Sequence, residues 1–253
     1  MTETKVVLIG LSGASSSGKT TTGKVLSQVL PNSILIHEDD YYLPDNQIPF
    51  SKELNDYNWD SPGAIDFPKM IKSLNDMKND KSDNNDDDDA TIQDNKNHDI
   101  KNLSSDQFEL INKNITERLN ANSSKYKYKF IILDGFLLYH NEKILNDLKI
   151  DVKFFFKTDY ETLRSRRLNR SYNTDQGVWI DPPNYFEKFV WPEYYNNHKY
   201  LFSDNLESIK KNGGDLNDFA INNLKIIGIQ NNNNTDFNSM FTKIIDYILL
   251  TLD

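Results

Sequence analysis

Cysteine is absent from all 253 residues. This excludes a disulfide framework, a zinc–thiolate site and a cysteine nucleophile together, and it agrees with a reducing compartment. Positive charge is also scarce: Lys and Arg number 29 against 38 Asp and Glu, for a net charge of −9. With a pI near 5.0 the chain lacks the basic face of a general nucleic-acid binder, although a small anion can still be held where positive charge is focused locally. Long apolar runs are missing as well, and no segment approaches the ~20 residues a membrane helix needs. In "MTETKVVLIGLSG" the apolar run stops at a glycine, too soon for a signal-peptide core. The expectation is a soluble protein of the cytoplasm, with the nucleus as an alternative, and with neither membrane nor nucleic acid as partner.

What is present is β-branched and periodic. "KVVLIGL" (5–11), "SILIH" (33–37), "KFIILDG" (129–135), "DVKFFF" (151–156) and "LKIIGI" (224–229) are nearly continuous apolar runs. Such runs suit strands buried on both faces of a parallel sheet. Between them, 19–30, 104–120, 185–202 and 236–250 carry apolar residues at helical spacing. Alternation of this kind predicts an α/β fold, a five-stranded parallel sheet with helices on both faces. One stretch stands apart: "NDMKNDKSDNNDDDDATIQDNKNHD" (75–99) is almost purely Asn, Asp and Lys. It cannot bury enough apolar surface to offset its ordering entropy. The chain is therefore expected to be a single domain over 1–253 with a low-complexity insertion at about 79–99. The Asp run lacks the spacing of a calcium loop.

"GASSSGKTTT" (13–22) directly follows the first strand and opens a helix. Gly13 to Thr20 spell G-x-x-x-x-G-K-T, the P-loop pattern, in its strand–loop–helix setting. Backbone N–H groups of Gly13, Ala14, Ser15, Ser16, Ser17 and Gly18, with Thr21 behind them, would line a concavity for phosphate oxygens. Lys19 would reach the β- and γ-phosphates, and the Thr20 hydroxyl would serve Mg²⁺. ATP is thus the expected ligand.

Arginine is the rarer base, five against 24 lysines, and four of the five fall in "RSRRLNR" as Arg164, Arg166, Arg167 and Arg170. Arg presents a rigid fork that grips phosphate oxygens, where Lys offers a mobile point charge. Beside a P-loop the cluster suits a lid over the transferring phosphates. At helical spacing Arg166, Arg167 and Arg170 share a face, whereas Arg164 lies on another.

"HEDDYY" (37–42) ends the second strand, at the sheet edge where open α/β folds bind ligands. Asp39 or Asp40 could there accept the proton of an acceptor alcohol or assist Mg²⁺. Asp134, ending the third strand, is placed like a Walker B acid. Trp59 and Asp60 in "NDYNWDSPGAIDF" can stack a flat ring and hold ribose hydroxyls, and Tyr42 or Tyr172 can close on the ring. His37, His98, His140 and His198 show no metal-ligand spacing and read as structural or surface residues.

Taken in order, "GLSGASSSGKTTTGKVL", "LIHEDDYY", "NWDSPGAIDF", "FIILDGFLLY", "RRLNRSY" and "VWIDPPNYFEKFVWPEYYNNH" resemble the nicotinamide riboside kinases, a branch of the uridine kinase-like P-loop kinases. The resemblance runs from residue 4 to about 203, apart from the insertion. It implies a P-loop nucleoside/nucleotide kinase fold with an Arg-rich lid, and transfer of phosphate from ATP to the 5′-hydroxyl of nicotinamide riboside, with nicotinic acid riboside as a second acceptor, in NAD salvage. It further implies Asp39 as catalytic acid beside Mg²⁺, with Lys19 and Arg166 acting on the phosphates, and Thr20 and Asp134 as further metal-side groups. Arg166 and Arg170 fall on the ATP side, while Asp40, Tyr42, Trp59, Asp60, Arg167 and Tyr172 fall on the nucleoside side. The loop after the last strand, where the family holds adenine, is Asn-rich here, with Gln230 as the nearest candidate. A uridine/cytidine kinase and a nucleotide-binding regulatory module without turnover are the alternatives.

Overall fold

Successive residues of the first strand reach opposite layers of the molecule. Val7, Ile9 and Leu11 join the apolar cluster on one side of the sheet, Leu8 joins the cluster on the other, and all four are buried. A strand covered on both faces needs no polar alternation, which is why "KVVLIGL" shows none. The computed structural model describes residues 3–79, 103–121, 125–170, 172–174, 177–179 and 181–252, with the side chains of 171–180 outside the description.

The chain begins β1 (Glu3–Gly13), α1 (Lys19–Val29), β2 (Ser33–His37), the short strands β3 (Phe50–Ser51) and β4 (Asp56–Tyr57), α2 (Phe67–Lys78) and α3 (Ser105–Ala121). It continues β5 (Tyr126–Asp134), α4 (Glu142–Leu148), β6 (Val152–Lys157), α5 (Tyr160–Leu168), β7 (Tyr172–Thr174) and β8 (Gly177–Trp179). Last come α6 (Trp191–His198), α7 (Leu206–Asn212), β9 (Ile226–Gln230) and α8 (Phe237–Leu250). Five strands pair in parallel in the order β2-β5-β1-β6-β9. The fold is thus the expected α/β architecture, a five-stranded parallel sheet with helices on both faces. Asp134 lies level with both Leu11 and His37, so the ends of β1, β2 and β5 meet at one edge.

Helices α1, α3 and α8 cover one face through Leu26, Ile115 and Phe241, against Ile9 and Phe154. Helices α2, α4, α5 and α6 cover the other through Met70, Leu145, Leu163 and Tyr194, against Leu8 and Phe155. Phe155 is fully buried, and its truncation to alanine would cost about 3–5 kcal/mol. Two stretches depart from the sequence expectation. The segment 185–202 is not one helix but a π-helical turn (Phe186–Val190), then α6, then a 3₁₀ turn (Lys199–Leu201). Pro192, which has no N–H to donate, sits at the junction where the bond pattern changes. Helix α5 stops at Leu168, so Arg170 follows it on a turn in which its N–H donates to the Arg167 carbonyl at 3.0 Å. The insertion expected at about 79–99 lies outside the described residues beyond Asn79, which caps α2.

Candidate active site

The P-loop bridges β1 and α1 and needs unusual backbone to do so. Gly18 caps α1 at φ 94°, in the left-handed region, and a Cβ there would run into the Asn231 side-chain amide. Ser16 takes φ 67° without being glycine, local strain of the kind found where a loop is shaped around a ligand. The Ser16 and Ser17 hydroxyls are buried with no hydrogen-bond partner among the described residues. Lys19 is buried and curls back so that Nζ donates to the Ala14 carbonyl at 2.8 Å. Burial lowers its pKa, opposed by the negative charges of Asp134, Asp39 and Glu38.

These residues form one wall of a cleft of about 560 Å³, in the size range of small-molecule sites. Lys19, Lys24, Arg166 and Arg170 bring four cations to it, and Asp39 and Asp134 two carboxylates. That balance suits a polyphosphate. Thr20 Oγ1 donates to Asp134 Oδ2 at 2.5 Å, and His37 Nδ1 lies 3.2 Å from the same oxygen. The bond to Asp134 raises the His37 pKa.

The three carboxylates of "HEDDYY" share one 3₁₀ turn, Glu38–Tyr41, and point three ways. Glu38 is fully buried. Its Oε2 accepts from the N–H groups of Phe136 (2.6 Å) and Leu137 (3.0 Å). Burial pushes its pKa up to about 8, against the pull of those two bonds. Asp39 lines the cleft and keeps contact with solvent, yet the walls displace much of its water. That loss and the Asp134 charge raise its pKa, while Lys19 and Arg170 hold it down. Asp40 is exposed and is not among the residues lining the cleft.

The four clustered arginines separate just as sharply. Arg166 Nη1 donates to the Asn231 carbonyl at 3.1 Å, and Arg166 and Arg170 both line the cleft. Arg167 grips Asp181 with two bonds of 2.6 and 3.1 Å and donates from Nη1 to Ser15 Oγ at 2.7 Å. Its Nη2 is also 3.9 Å from Asp60 Oδ2. Arg164 instead pairs with Glu187 on the surface.

Tyr42 meets Trp59 edge-on at 5.5 Å and lies 6.4 Å from Phe136, itself in the lining of the cleft, giving an aromatic wall. Asp60 borders a small pocket with Ala14, Ser15, Phe136, Leu137, Val190 and Tyr194. Its carboxyl is pushed up to about 6 by burial, with Arg167 opposing. The Trp59 backbone N–H donates to Tyr185 Oη at 3.1 Å. The backbone of Tyr172 begins β7, and its side chain lies outside the described residues.

Several site residues were not singled out in the sequence. His37 carries a polar contact to Asp134 instead of a purely structural role, and its position directly before the acids was the available sign. Asn231, whose Nδ2 donates to the Ser17 carbonyl at 2.7 Å, lines the cleft where Gln230 does not; the Gln230 side chain bonds the Asn212 carbonyl instead. Asp181 stands at the head of "DPPNYF", and nothing local marks it as the partner of an arginine 14 positions earlier.

No family model matches the chain. Among curated proteins, the nicotinamide riboside kinase of Saccharomyces cerevisiae is 37% identical over 213 residues, 80% of this chain and 81% of that protein. The chain belongs to the nicotinamide riboside kinase family. The nicotinamide riboside kinase of Schizosaccharomyces pombe is 32% identical over 200 residues, 78% of this chain and 81% of its own. A uridine kinase of the same yeast is 29% identical over 195 residues, 76% of this chain but 37% of that protein. The activity of this family is that of a kinase. Among the described residues, no helix is long and apolar enough to cross a membrane.

Proposed function

We propose that this nicotinamide riboside kinase-family chain transfers the γ-phosphoryl group of ATP to the 5′-hydroxyl of nicotinamide riboside, giving ADP and the mononucleotide, a salvage step toward NAD. The observation that carries the reading is the placement of Asp39 on the wall of the cleft that the P-loop, Lys19, Arg166 and Arg170 make cationic. Asp39 takes the 5′-hydroxyl proton as the new O–P bond forms and the bond to the ADP oxygen breaks; its raised pKa makes it the stronger base. Lys19, Arg166 and Arg170 neutralise the oxygens of the migrating group. Trp59 and Tyr42 offer aromatic faces to the cationic pyridinium, and Asp60 accepts from the ribose hydroxyls, with Arg167 holding that side against Ser15.

Thr20, Asp134 and Asp39 are an oxygen-only donor set, the hard chemistry that suits Mg²⁺. Among the described residues no three His, Asp or Glu side chains converge as a ready-made cage, as fits an ion held largely by nucleotide phosphates. Bound there, Mg²⁺ would supply charge neutralisation for the polyphosphate. The whole chain is proposed to act as one kinase domain in the cytoplasm, with the Asp/Asn-rich insertion dispensable.

ADP release with Mg-ATP on nicotinamide riboside, nicotinic acid riboside, uridine and cytidine tests the reading. A kcat/KM for nicotinamide riboside far above the pyrimidines is the expected result. Preference for uridine or cytidine would leave the role of Asp39 intact and overturn the pyridinium pocket.

A further inference from the structure

Glu38 has no part in the reaction as drawn, yet it is the most enclosed carboxylate beside the cleft. It is 0% exposed and sits next to Asp39 on the same 3₁₀ turn. Its partners are not solvent or a base but two successive backbone N–H groups, those of Phe136 and Leu137, both bonded to Oε2 at 2.6 and 3.0 Å. Oε1 is buried with no partner among the described residues. A carboxylate removed from water is costly unless its acceptor capacity is used. Both bonds go to the one segment that leaves the end of β5 and turns toward the nucleoside side. Gly135 leaves the room they need: a Cβ at 135 would stand 2.6 Å from Leu138 Cδ2, 2.7 Å from Glu38 Oε2 and 2.8 Å from Glu38 Cβ.

That segment carries weight at the site. Asp134 precedes it, and Phe136 lines both the phosphate cleft and the small pocket next to Asp60. The ring of Phe136 also lies against Tyr42, which meets Trp59. Glu38 therefore ties the turn that carries Asp39 to the segment that shapes the nucleoside wall.

We propose that Glu38 is a positioning residue, whose two accepted backbone bonds set the distance between the Asp39 carboxylate and the nucleoside wall built on Phe136. Misplacement by about 1 Å is enough to cost on the order of a hundredfold in rate, so the anchor acts on chemistry without touching substrate. The kinetic part of the inference rests on Asp39 being the base, as proposed above.

Two measurements on the full chain decide it. In amide hydrogen exchange without ligands, Phe136 and Leu137 should be protected in the wild type and in Glu38→Gln, whose amide oxygen still accepts both bonds, but not in Glu38→Ala. In steady-state kinetics with whichever nucleoside the wild type phosphorylates best, Glu38→Ala should lower kcat about tenfold or more and raise the nucleoside KM, with the KM for ATP within twofold. Glu38→Gln should restore most of the loss, and Gly135→Ala, which displaces Glu38 from the other side, should reproduce it. If ATP and nucleoside KM rise together in Glu38→Ala, or if Gln rescues nothing, the residue is general scaffold and the proposal is wrong. A wild type inactive on all four nucleosides would overturn the proposed function, whereas unchanged protection in Glu38→Ala would overturn the anchor itself.

Discussion

Thr20 and Asp134 are 114 positions apart in the chain, and the threonine hydroxyl donates to the aspartate at 2.5 Å. The bond joins the first turn of α1 to the end of β5, and so sets the P-loop against the acid that faces it across the cleft. His37 completes the arrangement from β2 by approaching the same carboxylate oxygen. Two neighbouring strands and the helix that follows β1 thereby converge on one polar junction beside the cleft.

Weakening that junction should show first in the metal requirement. Thr20→Ala and Asp134→Asn are each expected to raise the Mg²⁺ concentration for half-maximal activity by roughly tenfold or more. Magnesium titrations at fixed ATP would reveal it, and unchanged titration curves would remove both residues from the metal side.

Asp39→Ala separates chemistry from nucleotide binding. Turnover should fall by about 10²–10⁴, the usual contribution of a positioned base, while ATP affinity by calorimetry stays near the wild-type value. Loss of ATP binding along with activity would mean that Asp39 serves the nucleotide instead of the alcohol.

The arginine cluster offers a contrast within a single helix. Arg164 makes an exposed pair with Glu187, so Arg164→Ala should leave kcat within twofold. Arg166→Ala, at the cleft, should cost on the order of a hundredfold or more in kcat. Equal effects from the two would show that the face assignment does not govern function.

Asp60 supplies the pH dependence. Its carboxyl is raised from the ordinary aspartate value of 3.8 to about 6, chiefly by burial. The folded protein thus holds this proton more tightly than the unfolded chain does. The favourable contribution is complete below pH ~4 and is lost as pH climbs through about 6, worth at most about 3 kcal/mol. Urea unfolding at pH 4.5 and 7.5 should therefore show Asp60→Asn gaining stability relative to wild type at the higher pH. Nucleoside affinity in the wild type should move the opposite way from stability, with KM falling as Asp60 ionises.

Removal of 80–99 should leave kcat and both KM values within twofold, because Asn79 already closes α2 and the stretch has too little apolar content to contribute to a core. A large kinetic change would assign the insertion a working role.

What the sequence by itself determined is what rests on contiguous residues. The P-loop was legible because its conformation is local: glycines at the turn, then a lysine and a threonine opening a helix. The five strands were legible because burial on both faces forces an unbroken apolar run, and the family could be read from short motifs in order. The helices α4 and α7, seven residues each, and the two small hairpins were too short for such signals. The roles of neighbouring polar residues were decided only by tertiary structure. Glu38, Asp39 and Asp40 are consecutive acids, and a 3₁₀ turn of three residues sends successive side chains about 120° apart. One is therefore buried on backbone N–H groups, one faces the cleft and one faces solvent. In the same way Arg164, Arg166 and Arg167 leave one helix toward Glu187 on the surface, the cleft and Asp181 respectively. Helical spacing sets Arg164 apart, but no local pattern encodes what each side chain meets, because that depends on which distant element packs against its direction.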